Sequence, residues 1–416
     1  MPEILFIGCL AVLPFVVYCA LAGILWLTVW SVGHHSSAIW QILKRNGWVI
    51  LAGGMVVSAI MADFPGEAAL QLTNFLPFFV FFSAVTVFLN RLNHPIKALE
   101  QWAFVLLIGT IPVDLAAGIE YFLRSPLVFA KFQNLSYLTW LYQEVNYGHR
   151  ASSAFGHPNA LAAYLAIVFG LGLGLILKEL SQNRVPGNEL GRCRLLWLYG
   201  ATALALGGTF CSGSRNGILV AIAQLLVFAW LMRRNRFVTF LGIASITTVV
   251  AGVLTWGIGG RSVSEAVSTS TLRVEVWRLA LKLIEQNPWL GTGLGGFRLH
   301  YVPYSIPEYD LVEHAHNLWL MLAAEIGIPL MLLFTTIVGL ACYRGVRSLM
   351  SSALNKADRS ILIGYLLGFM GCTLFALFDV TFYDARVNVL GWLTLAAIQS
   401  IPQLRERANL PEPKST

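Results

Sequence analysis

The chain has 416 residues, of which 57% are hydrophobic and only 12% charged, with a formal net charge of +7. That charged share is about half that of a soluble domain, and surface-to-volume scaling leaves a soluble core unable to hide so much apolar side chain. The composition therefore excludes a soluble enzyme, a disordered protein and a secreted disulfide scaffold, and makes lipid the solvent for most of the chain.

A membrane-crossing helix needs roughly 20 apolar residues. In chain order such stretches stand near 4–31, 47–62, 70–89, 98–119, 159–177, 195–211, 217–232, 237–257, 317–341, 360–379 and 387–400. The expected fold is all-α, a polytopic transmembrane bundle of about eleven or twelve spans forming one integral membrane domain over 1–416. The first stretch is long enough to tilt or to be a broken helix, and 47–62 and 387–400 are short.

Lys and Arg in short loops set orientation. Lys44 and Arg45, Arg91 and Lys97, the loop 178–194 with Lys178, Arg184, Arg192 and Arg194, and the turn with Arg233, Arg234 and Arg236 fall on one side of an eleven-span chain. The loop 342–359 with Arg344, Arg347, Lys356 and Arg359 joins them, as does the tail 401–416 with Arg405, Arg407 and Lys414. That side is expected to be cytoplasmic, with the N-terminus outside and the first segment a retained helix. The +7 then reports orientation, and no nucleic acid is expected as a partner. The six cysteines lie in or beside the spans without CxxC spacing, so neither a disulfide framework nor a zinc site is expected.

Two outer connections are long, 120–158 and 258–316, and long loops are often functional. In the second, Leu272, Val276, Leu279 and Leu283 recur at helical spacing. Ser270 or Thr271 suits the start of that helix, and Pro288 with the following glycines its end. Such an amphipathic helix would lie on the membrane surface or cover an outer cavity. The outer segments also hold Arg150, Arg215, Arg261, Arg273, Arg278 and Arg298, with His149, His157, His300, His314 and His316. Arginine offers a planar fork matched to phosphate oxygens, so this grouping points to an anionic ligand. The alternative is that these arginines snorkel to lipid headgroups.

Three stretches carry motifs. In Glu313-His-Ala-His-Asn-Leu-Trp-Leu-Met-Leu-Ala-Ala-Glu-Ile-Gly327, His316 can accept a proton near neutral pH. The alternatives are a structural interfacial histidine, or a metal site from Glu313, His314 and His316. No further ligand is evident, and no metal or other cofactor is expected. Gly291-Thr-Gly-Leu-Gly-Gly296 formally fits GxGxxG, but a helix rather than a strand precedes it, so it reads as a flexible turn. In Phe155-Gly-His-Pro-Asn-Ala-Leu-Ala-Ala-Tyr164, Pro158 suits a first helical turn, and His157 and Asn159 could bind a headgroup or sugar hydroxyls. Intramembrane acids are few, Asp114, Glu325 and Asp379, which argues against a cation pump.

Four features then coincide in order. They are Gly156-His-Pro-Asn159, then Ser214-Arg215, then Arg273-Val-Glu-Val-Trp277 with Asn287-Pro-Trp-Leu-Gly-Thr-Gly293, and finally His316-Asn317 followed by Glu325-Ile-Gly327. In this the chain resembles the O-antigen ligase / O-antigen polymerase superfamily of bacterial polytopic membrane proteins, over roughly residues 70–400. Leu330 stands where members often carry a further glycine.

The resemblance implies a metal-independent, inverting glycosyltransferase in the bacterial inner membrane, with its active face outside the cytoplasm. It would move glycan from an undecaprenyl-diphosphate carrier to a hydroxyl of a glycolipid or glycan. Arg215 and Arg273 would hold the diphosphate and stabilise its charge as it leaves, and His316 would take the acceptor's proton. Ser214, Asn317, His157, Asn159, Arg150, Trp277, His314 and Arg278 complete the expected substrate-binding set, and Glu325 either orients the base or is structural. A polymerase of the same superfamily differs only in its acceptor. A bicarbonate-related transporter is the rival, because Gln71-Leu-Thr-Asn-Phe-Leu-Pro-Phe-Phe-Val-Phe-Phe82 looks similar to a cyanobacterial branch of the superfamily linked with inorganic-carbon accumulation.

Overall fold

The computed structural model describes residues 2–124, 147–182, 189–233, 240, 242–248, 250–251, 263–302, 306, 311–351 and 354–408. Within them the chain is helical, with no strand. In chain order the helices are α1 (Pro2–Val12), α2 (Val17–Arg45), α3 (Trp48–Ile60), α4 (Pro65–Gln71), α5 (Leu76–Arg91), α6 (Pro95–Gly109), α7 (Ile111–Leu123) and α8 (Pro158–Gln182). They continue with α9 (Glu189–Cys211), α10 (Arg215–Leu231), α11 (Val263–Gln286), α12 (Gly296–Leu299), α13 (Leu318–Met350), α14 (Lys356–Ala376) and α15 (Ala385–Ala408). Six segments among the described residues are long and apolar enough to cross a membrane, and α1, α3 and α10 are shorter apolar helices. The expected span 237–257, most of the loop 120–158, the stretches 258–262, 303–305 and 307–310 of the loop 258–316, and Arg184, Arg234, Arg236, Arg261 and Lys414 fall wholly or partly outside the described residues.

The stretch 4–31 is not one span. Pro14 lacks a backbone N–H and disfavours helix at Leu13, so the chain turns at 13–16. Afterwards α2 runs back along α1, bringing Gly23 against Cys9 and Ile24 beside Phe6. Of the two expectations for this stretch, a tilted helix or a broken one, the structure takes the broken one, as a helical hairpin.

The basic loops do gather at one end. Arg45 donates to Gln403 at 3.4 Å, and Gln399 donates to Asn46 at 2.8 Å. Glu100 pairs with Lys178, and with Arg194 at 2.7 Å. Four helices run from this end to a large cavity at the other. Asn74 precedes α5 and Arg91 ends it; Asn159 begins α8 and Lys178 lies near its close; Lys356 begins α14 and Asp379 follows it; Asn388 begins α15 and Gln399 lies beyond.

The central helix is α8, buried continuously from Ala160 to Leu177. It meets α14 through glycines spaced four apart on both sides, Gly170 and Gly174 against Gly364 and Gly368. A Cβ on Gly364 would stand 2.8 Å from the Gly174 Cα. Small residues at this spacing let helix backbones touch, and dispersion replaces the hydrophobic drive that lipid cannot supply.

The outer helix α11 begins at Val263, earlier than the cap expected at Ser270 or Thr271, and buries Val276, Ala280 and Leu283. The loop after it plugs a break in α13. Gly327 has φ 82° and ψ 161°, and Pro329 has no N–H to offer the carbonyl of Glu325. The broken helix satisfies its backbone groups from the loop instead. Thr292 N donates to the Ala324 carbonyl at 2.9 Å, Gly293 N to the Glu325 carbonyl at 2.8 Å, and Ile328 N to the Pro288 carbonyl at 2.9 Å. Ser58 Oγ of α3 closes the clamp with a 2.7 Å bond to the Leu290 carbonyl. The glycine-rich stretch is thus a docked loop, not a flexible turn.

Candidate functional site

A cavity of about 1110 Å³ opens at the end away from the basic loops. It is lined by Arg150, Ser214, Arg215, Arg273 and Arg298, and by His149, His157, Asn159, His314 and His316. These residues come from four separated parts of the sequence.

The turn bearing Arg215 is built locally. Ser214 caps α10, its Oγ accepting from Gly217 N at 3.3 Å, while Gly213 supplies a left-handed φ of 60°. Arg215 is therefore the first helical residue, placed at the positive end of the helix dipole. Arg150 fastens this turn to α8. Its Nε donates to the Ser212 carbonyl at 2.9 Å and its Nη2 to Asn159 Oδ1 at 2.5 Å.

The hub is Asp379, a residue for which the sequence suggests no role. It is 3% exposed. Asn159 Nδ2 donates to its Oδ2 at 2.5 Å, and Val380 N donates to its Oδ1 at 2.9 Å. His316 Nδ1 stands 3.3 Å from Oδ1, and His314 Nε2 stands 3.7 Å from the same oxygen, beyond a good hydrogen bond. Two side chains hold the approach to it: Asn216 Nδ2 donates to the Phe378 carbonyl at 3.3 Å, and Asn317 Nδ2 to the Leu377 carbonyl at 3.0 Å. Burial pushes the Asp379 carboxyl up, but the hydrogen bond from His316 and the electrostatic attraction of His314, His316 and Arg273 outweigh it. The acid is held below its ordinary value and stays ionised.

His316 has φ 49°, one of two non-glycine residues in the left-handed region among those described. Strain of this kind survives only where surrounding bonds impose it, and it clusters at functional positions. The imposing bonds are on both sides. Asp379 holds the ring, and Asn317 caps α13 by accepting from Leu320 N at 3.0 Å. Since a carboxylate can only accept, Nδ1 of His316 carries the proton facing Asp379. That leaves Nε2 with its lone pair available.

Burial lowers His314 below its ordinary value, with Asp379 opposing, and burial likewise lowers His157. The pH consequence has a definite sign. The unfolded chain takes up a proton at His314 near its ordinary 6.5, whereas the folded chain takes it up only at lower pH. Stability is therefore lost as pH falls through that window, and the depressed Asp379 carries the loss further into acid. Thermal unfolding in detergent from about pH 7.5 to about pH 5 is expected to show this fall, and His314→Gln to flatten its upper part.

Not every expected residue reaches the cavity. Asn317 is a cap and tether rather than part of the wall. Arg278 is exposed and pairs with Glu275, and Trp277 buries its indole nitrogen without a partner among the described residues. Glu325 is wholly buried and accepts from Phe297 N at 3.3 Å. It lies behind the cavity, within the clamp on α13. His314, His316 and Asp379 present ligand atoms within 4.8 Å of one another, so a third candidate metal ligand exists that the HxH spacing alone does not reveal.

The comparison with protein families adds one finding. Residues 200–335 match the family model described as O-Antigen ligase. Over that stretch the chain is similar to O-antigen ligases. The matched segment holds Arg215, Arg273, His314, His316 and the Glu325–Gly327 break, and ends before Asp379. That family acts on lipid-linked glycans in a membrane, and the apolar helices agree with a multi-pass membrane protein. No curated protein matches the chain.

Proposed function

We propose that this O-antigen ligase-like chain transfers a glycan from an undecaprenyl-diphosphate carrier to an acceptor hydroxyl at the non-cytoplasmic face. The observation that carries the reading is the His316–Asp379 pair lining one cavity with Arg215 and Arg273. The positive-inside rule puts the gathered basic loops in the cytoplasm and hence the cavity outside. Nucleotide sugars are then out of reach, and the energy of transfer comes from the carrier's phosphoester.

In the reaction His316 Nε2 takes the acceptor's proton as its oxygen attacks the anomeric carbon. The bond from that carbon to the diphosphate oxygen breaks, the electron pair leaves with the phosphate, and attack from the opposite face inverts the centre. Arg215 and Arg273 meet the charge growing on the leaving group. Asp379 fixes the imidazole tautomer and stabilises the imidazolium that forms. Ligase and polymerase share these steps and differ in the acceptor.

Catalysis needs no metal in this reading. Asp379 already accepts from Asn159 and Val380, and the arginines around the cavity oppose a second cation charge. A metal-dependent reaction would place the ion on His314, His316 and Asp379, and chelator would then abolish transfer.

The test is consumption of lipid-linked glycan in proteoliposomes, with and without chelator. Arg215→Ala and Arg273→Ala each remove charge-assisted contacts worth about 1.5–3 kcal/mol, so kcat/KM is expected to fall about 10- to 150-fold. Lysine should restore only part of it, since it lacks the bidentate fork. Bicarbonate uptake by the same vesicles, without glycan transfer, would sink the proposal in favour of transport.

A further inference from the structure

The cavity has a second wall of different chemistry. Glu67, Gln71 and Asn74 lie at i, i+4 and i+7 along α4 and the 3-10 turn Leu72–Asn74, and all three line it. They form a hydrogen-bonded row: Gln71 Nε2 donates to Glu67 Oε1 at 2.8 Å, and Asn74 Nδ2 donates to Gln71 Oε1 at 2.8 Å. Arg298 also donates to Glu67 Oε1, at 3.4 Å, which balances that wall's acid with its own cation.

The row is held from behind. Asn388 Nδ2 donates to the Asn74 carbonyl at 3.1 Å, and a Cβ on Gly295 would stand 2.8 Å from Glu67 Cγ. The side chains are thus pre-oriented but only partly spent. Each amide has two N–H donors and an acceptor oxygen, and the bonds within the row use one donor from each. What remains is both donor and acceptor capacity on a wall without net charge, in a cavity that Tyr383 also lines. A diphosphate finds no spare cation on this wall, since Arg298 is already bonded to Glu67, while Arg150, Arg215 and Arg273 line the cavity elsewhere. Hydroxyl-rich rings fit it well, since every hydroxyl both donates and accepts and the ring faces pack on aromatic side chains.

We propose that the Glu67–Gln71–Asn74 row is a saccharide subsite, taking uncharged sugar rings while the arginine wall takes the diphosphate. The inference rests on the glycan-transfer reading for the origin of the sugar, which is either the donor's glycan or the acceptor.

Binding to the purified full chain tests it apart from turnover. The probes are the source cell's surface oligosaccharide freed of lipid, and farnesyl diphosphate, which carries no sugar. In the Gln71→Ala/Asn74→Ala variant the oligosaccharide Kd is expected to rise about tenfold or more, with farnesyl diphosphate binding unchanged. Arg215→Ala should do the reverse. Gln71→Met, which keeps the shape and helix propensity, guards against loss of α4 and should weaken the oligosaccharide in the same direction. In proteoliposomes, the KM that rises when donor and acceptor are varied separately names the source. Equal weakening of both probes, or unchanged oligosaccharide binding in a folded variant, overturns the subsite. If transfer fails in the wild type while the oligosaccharide still depends on Gln71 and Asn74, the catalytic reading is wrong and the subsite stands.

Discussion

Replacing His316 with asparagine is expected to slow glycan transfer about 100- to 10,000-fold, the usual range for loss of a general base. Asparagine is the informative choice. It tolerates the left-handed backbone at φ 49° that alanine would strain, and its amide still donates to Asp379. The variant should therefore keep its unfolding temperature and its affinity for lipid diphosphate and lose only the chemical step. Asp379→Asn should fall by a comparable factor for a different reason. An amide no longer dictates which imidazole nitrogen carries the proton, so the pH dependence of kcat should change along with its height. Wild-type rates in either variant would remove the dyad from the mechanism.

Gly327→Ala carries the second large effect, and it acts through the fold. At φ 82° and ψ 161° only glycine is comfortable, and an added Cβ would drive into the Trp289 carbonyl. The loop 288–296 would have to leave the break in α13. The backbone carbonyls of Ala324 and Glu325 and the N–H of Ile328 would then lose their partners in a buried place. Transfer should be lost and the unfolding temperature should drop by several degrees, even though Gly327 touches no substrate. Glu325 separates packing from charge. Glu325→Gln keeps an oxygen for Phe297 N and should stay near wild type, whereas Glu325→Ala should be destabilised by about 1–3 kcal/mol. If Gln behaved like Ala, a charged Glu325 would be required and the clamp account would be wrong. Thermal unfolding of the three variants, read alongside transfer, settles it.

Much of the site is legible in the sequence because its cations break a rule. Arg215, Arg273 and Arg150 stand away from the basic end, and His316 opens a span. What is not legible is who faces whom. Asp379 is a lone acid 63 residues beyond His316, and nothing local marks it as the partner. The Gly291–Gly293 turn and the Glu325–Gly327 pair are each visible as motifs, but their mutual fit is a tertiary fact. Asn317, adjacent to the base, passes for a substrate contact until its two bonds are seen to be structural. Gln71 and Asn74 stand in a stretch that attracts notice only for its likeness to a transporter branch, and carrying no charge they are not marked as part of the site. The hairpin at 13–16 is half visible: Pro14 announces a break, but only packing decides that α2 folds back on α1.

The glycine seam between α8 and α14 decides what can move. With backbones in contact at Gly170, Gly174, Gly364 and Gly368, neither helix can slide or roll past the other without collision. One carries Asn159 at its tip and the other leads into Asp379, so the bond between those residues spans two ends of a single stator. On the proposed reaction a long isoprenoid has to enter and leave. Any travel falls to parts of the rim outside both this seam and the clamp on α13. Amide exchange should be slowest along α8, and the gate should be found on the rim.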